Sequence, residues 1–123
     1  MALVTRDEMH TVLSGWADRE LSHQAVYDWA TERFDLEQMD RGDPVINEIL
    51  AHLDIMDVNV TTPDDVPVFL AMLDAASPEL ATELLRRAGD GIDLDERFAK
   101  WGSDPFYAPY CHRIGDPPPG RSA

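Results

Sequence analysis

The sequence predicts an all-α fold, a single compact domain of five to six short helices followed by a tail containing prolines and aromatic residues. Apolar residues recur at the spacing of a helix, and helix-capping patterns stand directly before those segments. Of nine prolines, four stand at predicted helix starts and five lie in the last 22 residues. With 123 residues there is room for one domain. We place the helical domain at residues 3–101 and the tail at residues 102–123.

The first two predicted helices carry both signals. Thr5 and Glu8 form a capping box, and Ser22 can cap a second helix. The apolar stripes behind these caps are Met9, Val12, Leu13 and Trp16 in the first helix, and Val26, Trp29, Ala30 and Phe34 in the second.

The middle of the chain predicts two more helices. Asp43 followed by Pro44 is a cap and a first-turn proline. The fourth helix begins either at Thr62 or at Asp65, and the second choice puts Pro67 in the first turn, where its missing N–H costs little. The predicted stripes are Ile46, Ile49, Leu50 and Leu53, then Val66, Phe69, Leu70 and Leu73.

Two further caps, Ser77 and Asp93, predict a fifth helix and a short sixth one. The short alternating stretch at residues 58–62 has no obvious pairing strand, so we interpret it as an extended connection. The stripes of these last helices are Leu80, Leu84 and Ala88, then Leu94, Phe98 and Trp101.

The strongest compositional signal is negative charge. The chain has 24 acidic residues against 10 Lys and Arg, a net charge of −14. Such a surface disfavours direct binding to nucleic acid and to anionic membranes, because both require basic residues. Residues 1–75 hold 16 acidic and 4 basic residues, so the negative charge belongs mainly to the first four helices.

Acidic residues cluster around the two connections that flank the third helix. One interpretation is a negative face that binds a protein partner with a basic surface, since opposite potentials speed association. The other is a solvated surface with helix caps, or a compositional bias of the source proteome. The candidate partner-binding residues are Asp35, Glu37 and Asp40 before the helix, and Asp54, Asp57 and Asp64 after it.

Three aromatic residues of the tail, Phe106, Tyr107 and Tyr110, complete the candidate set. Such side chains bury a large area at low entropic cost. They either pack against the chain's own helices or contact a partner. We expect residues 117–123 to be disordered.

Sequence signals for catalysis, metal binding or cofactor binding are weak. We therefore predict that the protein is not an enzyme and binds no metal or cofactor. His10, His23 and His52 stand on separate helices without metal-ligand spacing, and Cys111 beside His112 is too sparse for a site. A single cysteine forbids an internal disulfide, and no apolar run approaches the roughly 20 residues that cross a bilayer. We expect a cytoplasmic protein.

Residues 5–73 resemble small bacterial acidic helical proteins of uncharacterised function, some of which look like immunity proteins. The resemblance is carried by these segments: Val26-Tyr-Asp-Trp29-Ala30, Asp43-Pro-Val-Ile-Asn-Glu-Ile-Leu50 with Leu53-Asp54, and Thr62-Pro-Asp-Asp-Val-Pro67. It implies a non-catalytic binding protein that presents an acidic face to a basic toxin or another nucleic-acid-binding protein, and it assigns no residue a role. The alternative is a helical accessory or homo-oligomerisation protein whose acidity serves only solubility.

Overall fold

Six α-helices and two short 3-10 helices make up the structure, a computed structural model that describes residues 4–34 and 42–110. No strand occurs within those ranges, and the predicted all-α fold is confirmed. Residues 117–123, predicted to be disordered, lie outside the described residues. The elements are α1 Arg6–Ala17, α2 His23–Arg33, α3 Pro44–Asp54, 3-10 helix Pro63–Asp65, α4 Val66–Asp74, α5 Pro78–Asp90, α6 Leu94–Trp101 and 3-10 helix Ala108–Tyr110.

Side-chain caps begin the helices where the sequence predicts them. Each cap accepts a hydrogen bond from a backbone N–H of the first turn, a group that has no acceptor within the helix. At α1, Thr5 and Glu8 form the reciprocal capping box. The five predicted caps that form such bonds, at 3.0 or 3.1 Å, are Thr5, Ser22, Asp43, Ser77 and Asp93.

The entry into α4 combines both predicted starts. Thr62 caps the 3-10 helix, accepting from the N–H of Asp64 at 3.2 Å, and Asp65 accepts in return from the N–H of Thr62 at 2.8 Å. The α-helix then begins at Val66, which leaves Pro67 in its first turn. Asp65 occupies the N-cap position of α4, but its side chain makes no capping hydrogen bond to that helix.

The predicted extended connection at residues 58–62 was wrong for its first half, because residues 55–60 form turns. Val60 has a φ of 51°, a left-handed conformation that is unusual for a β-branched residue. Two contacts hold it there: its side chain is buried against Trp101 and Tyr107, and its carbonyl accepts a hydrogen bond from Arg97 at 3.0 Å.

The main hydrophobic core joins buried residues of α1 to α4, most of them from the predicted stripes, with Met56 of the turn after α3 and one residue of α5. α4 packs against α5 and α1, while α2 packs against α3. The buried members are Met9, Leu13, Trp16, Val26, Ala30, Val45, Ile46, Ile49, Leu50, Leu53, Met56, Val66, Phe69, Met72, Leu73 and Ala81.

A second, smaller cluster carries the packed structure past residue 101, where the sequence placed the end of the domain. It consists of buried Val60, Trp101 and Tyr107, with Phe98 and Phe106 packed against them. The boundary at residue 101 was therefore too early, because Tyr107 is fully buried. Its burial removes a large apolar area from water, and no local periodicity in the sequence predicts that burial.

One arginine ties three helices together at the opposite end of the main core. Arg6 of α1 donates from Nε to Asp43 Oδ2 at 2.5 Å, and its Nη1 donates to the carbonyl of Leu73 at the end of α4. Asp43 therefore caps α3 and binds α1 at the same time. The hydrogen bond from Arg6 is the main reason that the pKa of Asp43 is lowered.

We expect Asp43→Ala to lower the free energy of unfolding by about 1–2 kcal/mol at pH 7, since it removes a helix cap. Because the folded pKa lies below the ordinary 3.8, the contribution of the charge is complete above that value and is lost as the pH falls through the folded pKa. Urea denaturation followed by circular dichroism from pH 7 towards pH 3 measures both effects. Asp43→Asn keeps a capping oxygen, so its free energy of unfolding should fall by less. Equal stability of Asp43→Ala and wild type at pH 7 would contradict the capping role of Asp43.

Candidate interaction surface

Asp64, one of the predicted partner-binding residues, is bound within the chain. Its carboxylate accepts from Lys100 Nζ at 2.8 and 3.0 Å and from Trp101 Nε1 at 2.9 Å. Burial by itself raises the pKa of Asp64, but these hydrogen bonds outweigh it and the pKa is lowered. The carboxylate thus joins the 3-10 helix Pro63–Asp65 to α6.

Its neighbour Asp65 makes a more deeply buried ion pair with α6. Both Asp65 oxygens accept from Arg97 at 2.9 Å, and the two side chains are only 16% and 13% exposed. Sequence reasoning assigned Asp65 a capping role and missed this partner, which stands 32 residues away along the chain.

Asp54 and Asp57 differ from Asp64, because neither forms an ion pair with any basic residue in the described ranges. Asp54 ends α3 and Asp57 stands in the following turn, where it accepts from the N–H of Val58 at 2.8 Å. Two large apolar residues of the same segment, Ile55 and Val58, are 47% and 62% exposed. Exposed apolar side chains beside unpaired carboxylates suit a protein-binding site.

The pKa of Tyr27 in α2 reflects the negative charges of this region. The pKa of its hydroxyl is raised, first by the charge of Asp57, then by burial and by the charges of Asp54, Tyr110 and Asp28. These groups therefore lie around one tyrosine, although they come from three parts of the chain. We call this set the acidic–apolar surface, and its members are Tyr27, Asp28, Asp54, Ile55, Asp57, Val58 and Tyr110.

The three aromatic candidates of the tail have different environments. Tyr107 is fully buried and donates from its hydroxyl to the carbonyl of Thr61 at 2.6 Å, so its prediction as a partner-binding residue was wrong. Phe106 packs against both cores, with its ring 5.7 Å from that of Tyr27. Tyr110 is 38% exposed and belongs to the acidic–apolar surface. The remaining candidates, Asp35, Glu37 and Asp40, lie outside the described residues.

Sequence reasoning also missed the importance of His23, which lies at the centre of an aromatic cluster. Trp16 Nε1 donates to His23 Nδ1 at 3.0 Å, and His23 Nε2 lies 3.2 Å from Asp104 Oδ2. Burial lowers the pKa of His23, and the nearby charge of Asp104 offsets part of that effect. The surrounding rings, with centroids 4.8 to 6.1 Å away, belong to Trp16, Trp101, Phe106 and Tyr107.

This His–Asp pair does not have the arrangement of a general base. Such a base needs a ring nitrogen whose lone pair faces a substrate. Here Nδ1 accepts from Trp16 while Nε2 faces Asp104, so both nitrogens are already engaged. The pair is an element of the packing.

A cleft of about 340 Å³ lies between α3, α4, α5 and α6. Polar side chains at its wall bond to one another: Arg97 to Asp65, and Asn59 Nδ2 to Thr61 Oγ1 at 3.1 Å. The cleft therefore presents mainly apolar atoms, contributed by Val68, Phe69, Leu85, Ile92 and Leu94.

Within residues 4–34 and 42–110, no three His, Cys, Asp or Glu side chains are grouped so that they could hold a metal ion. None of the helices in those ranges has both the length and the apolar character needed to cross a membrane. Cys111 and His112 lie outside the described residues.

Comparison of the chain with protein-family models, curated proteins and solved structures found no match.

Proposed function

We propose that this chain is a non-catalytic protein-binding module whose acidic–apolar surface binds a protein partner with a basic surface. The observation that carries the proposal is that two exposed apolar side chains, Ile55 and Val58, each directly follow an unpaired carboxylate, Asp54 or Asp57. Apolar contacts supply binding energy, while the charges select a basic partner and speed its approach.

The backbone that presents this surface is held in place, which supports a binding role. The N–H of Asn59 donates to the carbonyl of Ile55 at 2.9 Å, and the N–H of Thr61 donates to that of Met56 at 3.0 Å. Val60, which follows the exposed residues, is anchored in the second cluster. A turn ordered before binding loses little entropy when a partner docks.

Neutralising a basic toxin, as an immunity protein does, is the specific role we propose for this surface. The charge of −14 favours a basic partner and opposes assembly of the chain with itself, since like surfaces repel. A cytoplasmic location is part of the proposal, because a chain with one cysteine has no internal disulfide to maintain.

We expect the double variant Asp54→Lys with Asp57→Lys to lose its partner. Two charge reversals on a steering surface lower the association rate by tenfold or more at low salt, and the effect weakens as salt increases. Affinity purification from source cells with wild-type and variant baits, at low and high salt and with quantification of captured proteins, measures the loss.

A matched control reverses two exposed carboxylates outside the surface, Glu20 and Glu79, to lysine. It changes the net charge equally and should retain the partner. Equal losses in both double variants would show that the surface itself is not the binding site. Replacing Ile55 and Val58 with serine should weaken capture at every salt concentration, because those contacts are apolar. If no stoichiometric partner appears at low salt and the chain forms homo-oligomers insensitive to these changes, the alternative oligomerisation role is correct.

A further inference from the structure

We infer that His23 is a pH-sensitive latch, whose protonation releases the C-terminal segment of residues 102–110 from the helices. This inference goes beyond partner binding and rests on how hydrogen-bond donors and acceptors are arranged around the ring. The released segment includes Tyr110 of the acidic–apolar surface.

The neutral ring satisfies its neighbours on both sides. An indole N–H can only donate, so the 3.0 Å contact from Trp16 Nε1 requires a lone pair on His23 Nδ1. The proton of the neutral ring is then on Nε2, where it faces Asp104 Oδ2 at 3.2 Å. Each nitrogen has a partner of the correct type.

Protonation of Nδ1 breaks this match. It sets two N–H groups against each other at 3.0 Å, and the fully buried Trp16 loses its acceptor. The other oxygen near Nδ1 is the Tyr107 hydroxyl, 3.5 Å away, which already donates to the carbonyl of Thr61. That hydroxyl can still accept, but 3.5 Å makes only a long hydrogen bond, and a shorter one requires the ring to shift from Trp16 towards Tyr107.

The charged groups facing the ring act in opposite directions. Asp104 favours the protonated ring, whereas Arg19, with Nη1 3.4 Å from Nε2, opposes it. The Tyr107 hydroxyl is neutral because its pKa is raised, mainly by burial. The charge of Asp65 raises that pKa further, and the charge of Arg97 lowers it. Burial is the largest influence on His23, and the net result is a pKa below the ordinary 6.5.

The sign of the pH effect follows from this lowered pKa. Well above pH 6.5 the ring is neutral in both the closed and the open states, so the closed state has its full stability. As the pH falls below 6.5, the open state takes up a proton that the closed state resists. Acidification therefore favours release, until the pH passes the pKa of the closed state.

The C-terminal segment is the part that opens, because three of its residues contact the ring. Asp104 faces Nε2, while the rings of Phe106 and Tyr107 lie 5.9 and 4.8 Å from it. The helices on the other side are held by the main core through Met9, Leu13 and other buried residues. A protonated ring is stabilised when it reaches water, and it can do so only if these covering residues move aside, so the segment opens before the helices do.

Hydrogen exchange measured by mass spectrometry on the full chain tests the latch. Between pH 7.5 and 5.0, after correction for intrinsic exchange rates, protection of residues 102–110 should fall by up to about 30-fold. This limit follows because pH 5.0 lies 1.5 units below 6.5 and each unit is a factor of ten. Helix content by circular dichroism should stay constant.

His23→Gln is the decisive variant, because its amide can accept from Trp16 and donate to Asp104 but does not titrate in this range. It should show no pH-dependent loss of protection, whereas His10→Gln, on an exposed position of α1, should respond like wild type. Trp16→Phe removes the opposing donor, so it should raise the midpoint of the His23 titration seen by NMR.

Equal loss of protection in His23→Gln and wild type would overturn the latch, as would unchanged protection in wild type. If His23→Gln does not fold, NMR titration of wild type decides. A His23 midpoint below 6.5 that coincides with the loss of protection supports the proposal, and a midpoint at or above 6.5 refutes it.

Discussion

Replacing Arg97 with methionine is expected to lower the free energy of unfolding by about 3–5 kcal/mol, the range found when one partner of a buried ion pair is removed. Arg97 donates to both oxygens of Asp65 and to the carbonyl of Val60. Methionine fills similar space but donates nothing, so a mostly buried charge loses its partner. The left-handed backbone at Val60 loses a stabilising contact as well.

Lys100→Met is the matched control for this variant. Its ion pair with Asp64 is exposed, with side chains 59% and 42% accessible, so its loss should cost only about 0–1 kcal/mol. Urea denaturation at pH 7 measures both values. Adding Asp65→Asn to Arg97→Met should recover part of the loss, because it removes the unpaired charge. Equal losses for Arg97→Met and Lys100→Met would mean that the Arg97 pair is no better protected from water than a surface pair.

Replacing Tyr107 with alanine is expected to lower the free energy of unfolding by about 3–5 kcal/mol, as for other large aromatic residues truncated in a core. The ring is fully buried and contacts Trp101, Phe106 and His23. Alanine leaves a cavity in the second cluster, which has few other members to close it.

Tyr107→Phe separates the hydroxyl from the ring. It should cost about 1–3 kcal/mol, since the Thr61 carbonyl loses its donor while the packing remains. Tyr110→Ala, at a position 38% exposed, should cost less than about 1 kcal/mol. Thermal and urea denaturation compare the three variants. A loss for Tyr107→Ala as small as that for Tyr110→Ala would contradict a C-terminal segment that is part of the domain.

The helix starts could be predicted from sequence because their signals are local. A cap such as Ser22 or Ser77 acts on a backbone N–H three residues away, so the whole interaction is visible in a short stretch of sequence. The apolar stripes of α1 to α4 are equally local and gave most of the main core. The stripes of α5 and α6 were partly wrong, because Leu80 and Leu94 are exposed. The backbone conformation of Val60 was harder to predict, because an alternating apolar pattern does not reveal a left-handed turn.

The environment of individual site residues could not be predicted, because their partners are distant in the chain. Asp64 and Asp54 look alike in sequence, yet only Asp64 meets a lysine, 36 residues later. Two partners of His23, Asp104 and Tyr107, lie far along the chain, and the contact with Tyr107 spans 84 residues. Charge composition therefore showed where acidic residues are concentrated along the chain, whereas the fold was needed to show which carboxylates have no ion-pair partner.

The separation of the two hydrophobic clusters also sets an order of assembly during synthesis. Every buried residue of the main core lies at or before Ala81, whereas the second cluster cannot close until Tyr107 has left the ribosome. Trp16 and Val26 can therefore be packed while His23 beside them still lacks Asp104 and Tyr107. We expect the nascent chain to pass through a stage in which the first five helices are assembled. At that stage the His23 side chain is still accessible to chaperones and solvent.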